Sequence, residues 1–383
     1  MVTAPPAAPG MAFDEIDTPA LIIDLDAFER NLRRMADAVA EHGVRLRPHS
    51  KTHKSPIIGR RQMALGAVGV CCQKVAEAEI MVQGGVDDVL VSNQVVGRRK
   101  LDRLAALARQ ARIAVCVDNP DNVRDLAAAA TRFGVRIDTL VEIDLETGRC
   151  GVEPGQAAVD LAQVVAAQDS LRFAGLQAYQ GVAQHIRDYG ERRDAIDRAV
   201  AMTRDTAEHL AKAGLPCDVI TGAGTGTFEF EAQSGLYTEL QAGSYVFMDA
   251  DYVRNRKADG GAFDRFDHAL FVLATVMSRP TRNRAVVDAG HKATSIDSGP
   301  PEPHDRDGIR YVYASDEHGT LDVGAANRPP ALGETMLFVP GHCDPTANLH
   351  DWYVCVRGLG RAKDPVGAHV EAIWPVAARG AMF

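Results

Sequence analysis

From about residue 27 the chain alternates two textures: long stretches with apolar residues every three or four positions, and short runs rich in β-branched residues. That alternation is the signature of strand–helix units around a parallel sheet. The amphipathic stretches predict helices over 25–42, 74–84, 101–111, 119–134, 156–168 and 191–214. The runs between them predict strands over 44–47, 67–70, 88–91, 113–117, 139–143, 172–177, 218–221 and 239–241. Eight parallel strands joined by helices close into a (β/α)8 TIM barrel, which holds its chemistry where the strand C-termini emerge. A doubly wound open sheet gives the same alternation, and the count of eight favours the barrel.

After about residue 263 the pattern changes to short alternating segments separated by turns, at 269–276, 284–288, 311–314, 334–339, 352–356 and 370–374. These predict a mainly antiparallel β-domain. Residues 18–26 are also strand-like, so the expected organisation is a barrel over 27–262 and a β-domain built from 1–26 plus 263–383. The 383 residues suit two domains, since single cores seldom grow beyond about 250 to 300 residues.

Composition narrows the class only a little. The net charge of −9 argues against a general nucleic-acid binder but leaves room for a basic pocket. The seven cysteines are odd in number and lack zinc-ribbon or disulfide spacing, which points to a reducing compartment. Residues 1–10 carry no basic and apolar leader pattern, and no later run approaches the roughly 18 apolar residues of a membrane span. The expectation is a cytoplasmic enzyme without membrane or nucleic-acid partners.

The unusual polar clusters gather at predicted strand ends. Arg47-Pro48-His49-Ser50-Lys51-Thr52-His53-Lys54 follows the first strand. It is either a solvated basic patch or the place of a Schiff-base amine, Lys51, for pyridoxal phosphate. Cys72-Gln73-Lys74 follows the second strand, Ser92-Asn93-Gln94 the third, Gly148-Arg149-Cys150-Gly151 the fifth and Tyr179-Gln180-Gly181 the sixth. The run from Thr221 to Thr227 follows the seventh, and Gly243-Ser244-Tyr245 the last.

The glycines and threonines at Gly224, Thr225 and Gly226 suit a phosphate, although a flexible turn would look the same. Arg149 suits a bond to the phenolic oxygen of a pyridoxal ring, or a surface ion pair with Glu146 or Glu153. Tyr179 suits ring packing, or an ordinary place in the core.

The β-domain carries Pro340-Gly341-His342-Cys343-Asp344-Pro345-Thr346. If extended, this segment points His342 and Asp344 to one face, where an imidazole and a carboxylate can share Mn²⁺ or Mg²⁺. A loop could instead recruit Cys343 and favour zinc. A turn closed by a His–Asp hydrogen bond is the plain alternative.

In order along nearly the whole chain, these motifs resemble fold-type III pyridoxal phosphate enzymes of the D-threonine aldolase and 3-hydroxy-D-aspartate aldolase family, distantly similar to alanine racemase in the barrel. Further motifs carrying the resemblance are Asp17-Thr18-Pro19-Ala20, Leu176-Gln177-Ala178, Glu239-Leu240-Gln241-Ala242 and Asp316-Glu317-His318-Gly319. The resemblance implies that Lys51 carries the cofactor and that Arg149 and Tyr179 hold its ring. Gly224, Thr225, Gly226, Gly243, Ser244 and Tyr245 would bind phosphate, and Gln73 and His318 would line the pocket. His342 and Asp344 would hold the metal, and His185 would act on the substrate hydroxyl.

Where racemases place an Arg against the pyridine nitrogen, this chain carries the neutral Gln241, which fits bond cleavage through a carbanion. The implied reaction is retro-aldol cleavage of a β-hydroxy-D-amino acid to glycine and an aldehyde, by a homodimer. A 3-hydroxy-D-aspartate aldolase is the near alternative. A D-serine dehydratase-like lyase or a non-catalytic pyridoxal phosphate-binding protein is more remote.

Overall fold

The three longest helices start where the sequence supplies a side-chain cap and bury one stripe. In Leu25–Glu41 the Asp24 carboxylate accepts the Asp26 and Ala27 N–H groups, and Phe28, Leu32, Met35 and Val39 form the buried face. Pro120–Phe133 opens on an Asn119 cap with Pro at the first turn and ends at a left-handed Gly134. This computed structural model describes residues 4–361 and 367–383; residues 1–3 of the chain's opening and 362–366 of the expected β-domain lie outside the described residues.

After β1 (Ala20–Asp24) come eight parallel strands: β2 (Arg45–Leu46), β3 (Val70–Cys72), β4 (Asp88–Gln94), β5 (Arg112–Val117), β6 (Ile137–Glu142), β7 (Leu171–Gln177), β8 (Val219–Gly222) and β9 (Glu239–Leu240). They lie in the order β2-β9-β8-β7-β6-β5-β4-β3. The two edges meet, because Val68 N–H donates to Leu46 C=O and Cys71 N–H to Pro48 C=O, at 2.8 and 2.9 Å. The expected barrel is therefore the observed one.

The second sheet contains β10 (Leu270–Thr281), β11 (Arg284–Val287), β12 (Glu302–Pro303), β13 (Arg310–Ala314), β14 (Gly319–Asp322), β15 (Thr335–Val339), β16 (Trp352–Arg357) and β17 (His369–Pro375). It is mostly antiparallel. β1 lies inside it, antiparallel to β10 and parallel to β16. Among the described residues no helix is long and apolar enough to cross a membrane.

The strand expected over 67–70 forms instead at Val70–Cys72. Val68 spends its N–H on the closure, and Gly69 turns so tightly that a Cβ there would sit 2.2 Å from the Asp88 carbonyl oxygen. Four helices were not expected: Pro56–Met63, Phe228–Gln233, Ala250–Val253 and Cys343–Ala347. The first contains Gly59, whose bare Cα lies against Val70 and Val86.

The barrel interior is layered by the two-residue period of its strands. At the N-terminal end Arg47, Asp88, Arg112, Asp138, Arg172 and Glu239 form a chain of alternating charges. Two residues further along each strand lies an apolar layer that includes Leu90, Leu140 and Ala174, with Cys71 and Cys116 beside them. One more step brings Ser92 and Glu142 to the C-terminal mouth, and an irregularity at Gly175 puts Gln177, three residues after Ala174, beside them.

Arg47 bonds Glu239 at 2.8 Å and Asp88 at 2.6 Å, all with little exposure. Breaking a buried pair leaves an uncompensated charge at about 3 to 5 kcal/mol. Glu239→Ala is accordingly expected to lower unfolding stability by about 3 kcal/mol in urea titration. The double variant Arg47→Met with Glu239→Leu should recover most of that loss.

Candidate active site

Beyond β2 the chain passes His49 and makes one 3₁₀ turn, Ser50–Thr52, that carries Lys51. Three bonds fix this turn. The Lys51 N–H donates to His49 Nδ1 at 3.3 Å, the Ser50 hydroxyl to the Cys71 carbonyl at 2.8 Å, and the Lys54 N–H to the Ser50 carbonyl at 2.7 Å. Lys51 Nζ stands 3.7 Å from Asp344 Oδ2, a residue of the far end of the chain. Burial alone would lower the amine's pKa, but Asp344 and Tyr179 outweigh it and leave the net shift upward.

Around this amine is a cleft of about 140 Å³, open to solvent. Its floor is neutral: Gln241 and Gln177 pair their amides at 2.6 and 3.2 Å, and Gln241 also donates to Thr221 at 3.0 Å. Burial holds the His49 ring well below its ordinary pKa. Its Nδ1 accepts the Lys51 N–H, and its Nε2 faces the Ser92 hydroxyl at 3.2 Å and the Gln73 side-chain nitrogen at 2.8 Å. Arg149 lies over the Tyr179 ring at 5.4 Å and reaches Glu142 at 3.5 Å, not Glu146 or Glu153.

Gly224, Thr225, Gly243 and Ser244 line the same cleft, beside Thr52 and Ala223. A Cβ on Gly243 would lie 2.8 Å from Thr52 Oγ1 and 2.9 Å from the His49 carbonyl, so the backbone there forms a cradle only glycine permits. Thr52 Oγ1 is buried in it without a partner. Such a hydroxyl costs about 1 to 3 kcal/mol if nothing meets it, which suits a phosphate as the missing group.

Two expected phosphate ligands are not there. Gly226 gives its N–H to Gln184 Oε1 at 3.0 Å, and Tyr245 is wholly buried with its hydroxyl receiving a hydrogen bond from Gln62 at 3.0 Å. Tyr245 N–H goes to the Thr225 hydroxyl. Neither residue lines the cleft.

His185 closes one wall. Its Nδ1 meets the Asp251 carboxylate at 2.6 Å and its ring stacks on Tyr252 at 5.6 Å, leaving Nε2 free. Burial raises the Asp251 carboxyl less than Arg187 and His185 lower it, so it is held ionised.

Opposite stand His342 and Asp344. Of the extended, loop and turn forms open to this segment, it takes a strand-to-helix turn, with His342 at the N-cap position of the short helix Cys343–Ala347. Both side chains still line the cleft, while Cys343 is fully buried with its Sγ against the Met248 carbonyl, so it is not a ligand candidate. His342 Nδ1 is taken by Asp297 at 2.7 Å, which orients Nε2 as the available donor. Asp344 has only the Ser244 hydroxyl at 3.4 Å besides Lys51. Behind them the buried Asp249 accepts the N–H groups of Cys343 and Tyr252, and burial pushes its carboxyl up.

Among the described residues no three His, Cys, Asp or Glu side chains cluster as a metal site. The pair His342 and Asp344 fits a hard divalent ion that takes its remaining ligands from water and substrate.

The cleft thus unites Lys51, Gln73, Arg149, Tyr179, His185, Gly224, Thr225, Gly243, Ser244, His342 and Asp344, and leaves out His318. Sequence reasoning missed Thr52, Tyr252 and the orienting carboxylates Asp251 and Asp297. Only the neighbouring Asp-Tyr pair beyond Gly243-Ser244-Tyr245 gave any signal for the first of these carboxylates.

Residues 23–251 match the family model "Alanine racemase, N-terminal domain", and residues 269–356 match "Putative serine dehydratase domain". The chain is 48% identical over 376 residues to a D-threonine aldolase of Arthrobacter sp, covering 98% of this chain and 96% of the relative. It is 47% identical over 379 residues to a 3-hydroxy-D-aspartate aldolase of Paracoccus denitrificans (strain Pd 1222), covering 98% and 95%. The crystal structure of D-threonine aldolase from Filomicrobium marinum superposes with a TM-score of 0.95 at 55% identity, covering 99% of this chain and 100% of that one.

The placement of Tyr245 generates a test. Tyr245→Phe is expected to cost about 1 to 2 kcal/mol in thermal unfolding, by stranding the Gln62 amide, and to leave pyridoxal phosphate affinity unchanged in an absorbance titration.

Proposed function

On the premise that the chain belongs to the D-threonine and 3-hydroxy-D-aspartate aldolase family, we propose that it is a pyridoxal phosphate- and divalent-metal-dependent aldolase. It cleaves β-hydroxy-D-amino acids of the D-threonine type to glycine and an aldehyde. The single observation carrying this reading is the approach of Lys51, from the barrel, to within 3.7 Å of Asp344, from the second sheet. One places the amine that would hold the cofactor, the other a ligand for the ion.

When bound, pyridoxal phosphate supplies the electron sink for carbon–carbon cleavage, and the ion supplies charge that acidifies the substrate hydroxyl. The chain's own residues do the rest. Lys51 holds the amine at the mouth of the cleft, while Arg149 and Tyr179 hold the ring from one side. Gly224, Thr225, Gly243 and Ser244, with the unpartnered Thr52 hydroxyl, hold the phosphate. Gln241 keeps the floor neutral, so no cation stands against the ring nitrogen. His342 Nε2 and the Asp344 carboxylate hold the ion, and His185 Nε2 takes the β-hydroxyl proton while Asp251 stabilises the resulting charge.

A second reading, cleavage of 3-hydroxy-D-aspartate to glycine and glyoxylate, is favoured by the nearly equal identity to the relative of that name. Such a substrate needs a cation for its distal carboxylate. Arg187, which shares the Asp251 carboxylate with His185, is spent on the Asp251 and Asn255 oxygens, which favours the uncharged side chain. A dehydratase reading is disfavoured because dehydratase-like relatives carry a thiolate two residues after the metal His, where this chain has Asp344. The same proposal takes residues 27–262 as the cofactor-bearing domain, residues 1–26 plus 263–383 as the metal-bearing one, and the enzyme as a cytoplasmic homodimer.

Incubation with D-threonine, D-allothreonine and 3-hydroxy-D-aspartate, with EDTA and then with Mn²⁺ or Mg²⁺ restored, tests the function. Glycine with acetaldehyde, lost with EDTA and recovered with metal, is expected; ammonia with a keto acid would overturn it. Lys51→Ala should lose both the long-wavelength absorbance of bound cofactor and turnover. Asp344→Ala should keep the absorbance and lose at least about 100-fold in turnover.

A further inference from the structure

The Gly224–Thr227 loop packs both of its glycines on one residue that does not line the cleft. Gln184 is fully buried, and a Cβ on Gly224 would lie 2.4 Å from its Oε1. A Cβ on Gly226 would lie 2.7 Å from the Gln184 backbone oxygen and 3.1 Å from Asn255 Nδ2. The glycines therefore let the loop settle on Gln184 as well as toward an anion.

Every hydrogen-bonding group of the Gln184 amide is used. Oε1 accepts the Gly226 N–H at 3.0 Å, and Nε2 donates to the Thr227 hydroxyl at 2.7 Å and to the Gln180 carbonyl at 3.2 Å. Thr227 passes its own proton on to the buried Glu231 carboxyl at 2.8 Å, which fixes the direction of the chain from amide to hydroxyl to carboxyl. Burial pushes Glu231 up to about 7, consistent with its second oxygen having no partner.

The same residue also faces the other way. Its backbone oxygen accepts the Asn255 side-chain N–H at 2.9 Å, and Asn255 Oδ1 accepts from Arg187 at 2.8 Å. Arg187 bonds Asp251, and Asp251 holds His185, the residue next to Gln184 in the chain. A closed circuit of hydrogen bonds thus runs from the loop beneath Gly224 and Thr225 to the imidazole that faces the substrate. The turn Val182–His185 is the shared element.

Resting on the function proposed above, we infer that Gln184 is a positioning residue that couples the phosphate-holding loop to the base His185. Filling the phosphate cradle and placing the imidazole are then linked, because the buried Gln184 amide holds the loop while the backbone oxygen of the same residue holds the bonds that run through Asn255 and Arg187 toward His185.

Gln184→Met keeps the volume and removes the amide; Thr227→Val removes the hydroxyl that links Gln184 to Glu231. Each variant is titrated with pyridoxal phosphate by absorbance, and kcat and KM are then measured at saturating cofactor and Mn²⁺. Gln184→Met is expected to weaken cofactor binding by about tenfold and to lower kcat by at least about tenfold, with KM little changed. Thr227→Val is expected to weaken cofactor binding about threefold or more, and serves alone if Gln184→Met does not fold; Thr227→Ser should restore the wild-type affinity.

A variant that binds cofactor weakly yet turns over at the wild-type kcat once saturated overturns the coupling. Lowered thermal stability with wild-type affinity and kcat overturns it too. If the wild-type protein itself binds no pyridoxal phosphate, the proposed function fails first and this inference with it.

Discussion

The functional reading depends on one juxtaposition, an amine on a barrel loop and a carboxylate on a turn of the other sheet. The seam that sets it is polar and directional. Tyr353 of β16 donates its hydroxyl to the His53 carbonyl at 2.8 Å, and the Ala378 N–H donates to the Lys54 carbonyl at 2.9 Å, so the second sheet grips the backbone just after Lys51. From the other side, Asp249 on the loop after β9 accepts the Cys343 N–H between His342 and Asp344. Buried hydrogen bonds of this kind are individually modest, but leaving one unmade inside the protein is expensive, so the relative placement of the two sheets is well determined.

The barrel contributes a second constraint through its layers. Charges that would be costly in its interior are confined to one end and paired, apolar residues fill the middle, and neutral polar groups with few cations occupy the mouth. Lys51, Arg149, His185 and His342 each meet a near counter-charge, in Asp344, Glu142, Asp251 and Asp297 respectively.

Much of this was legible in the sequence, because periodicity reports burial and the motifs stand at the strand ends where a barrel gathers them. The residues that eluded the reading did so for physical reasons. Strand β3 slid by three positions because barrel closure, a tertiary event, claimed the Val68 N–H. The His342–Asp344 motif turned into a helix start, which keeps both side chains in one cleft by a geometry that strand alternation does not describe. Gly226 and Tyr245 look like phosphate ligands in a string of letters, yet their bonds go inward to Gln184 and Gln62. Asp251, Asp297 and Gln184 act through a neighbour and carry no motif, so only coordinates bring them to the site.

The central claim is that Lys51, among the lysines near the cleft, carries the cofactor. Borohydride reduction of the pyridoxal phosphate-loaded protein followed by peptide mapping tests it directly. The account predicts a single phosphopyridoxyl group on Lys51. The group on Lys54 or Lys74 instead, or none on any lysine, would contradict it.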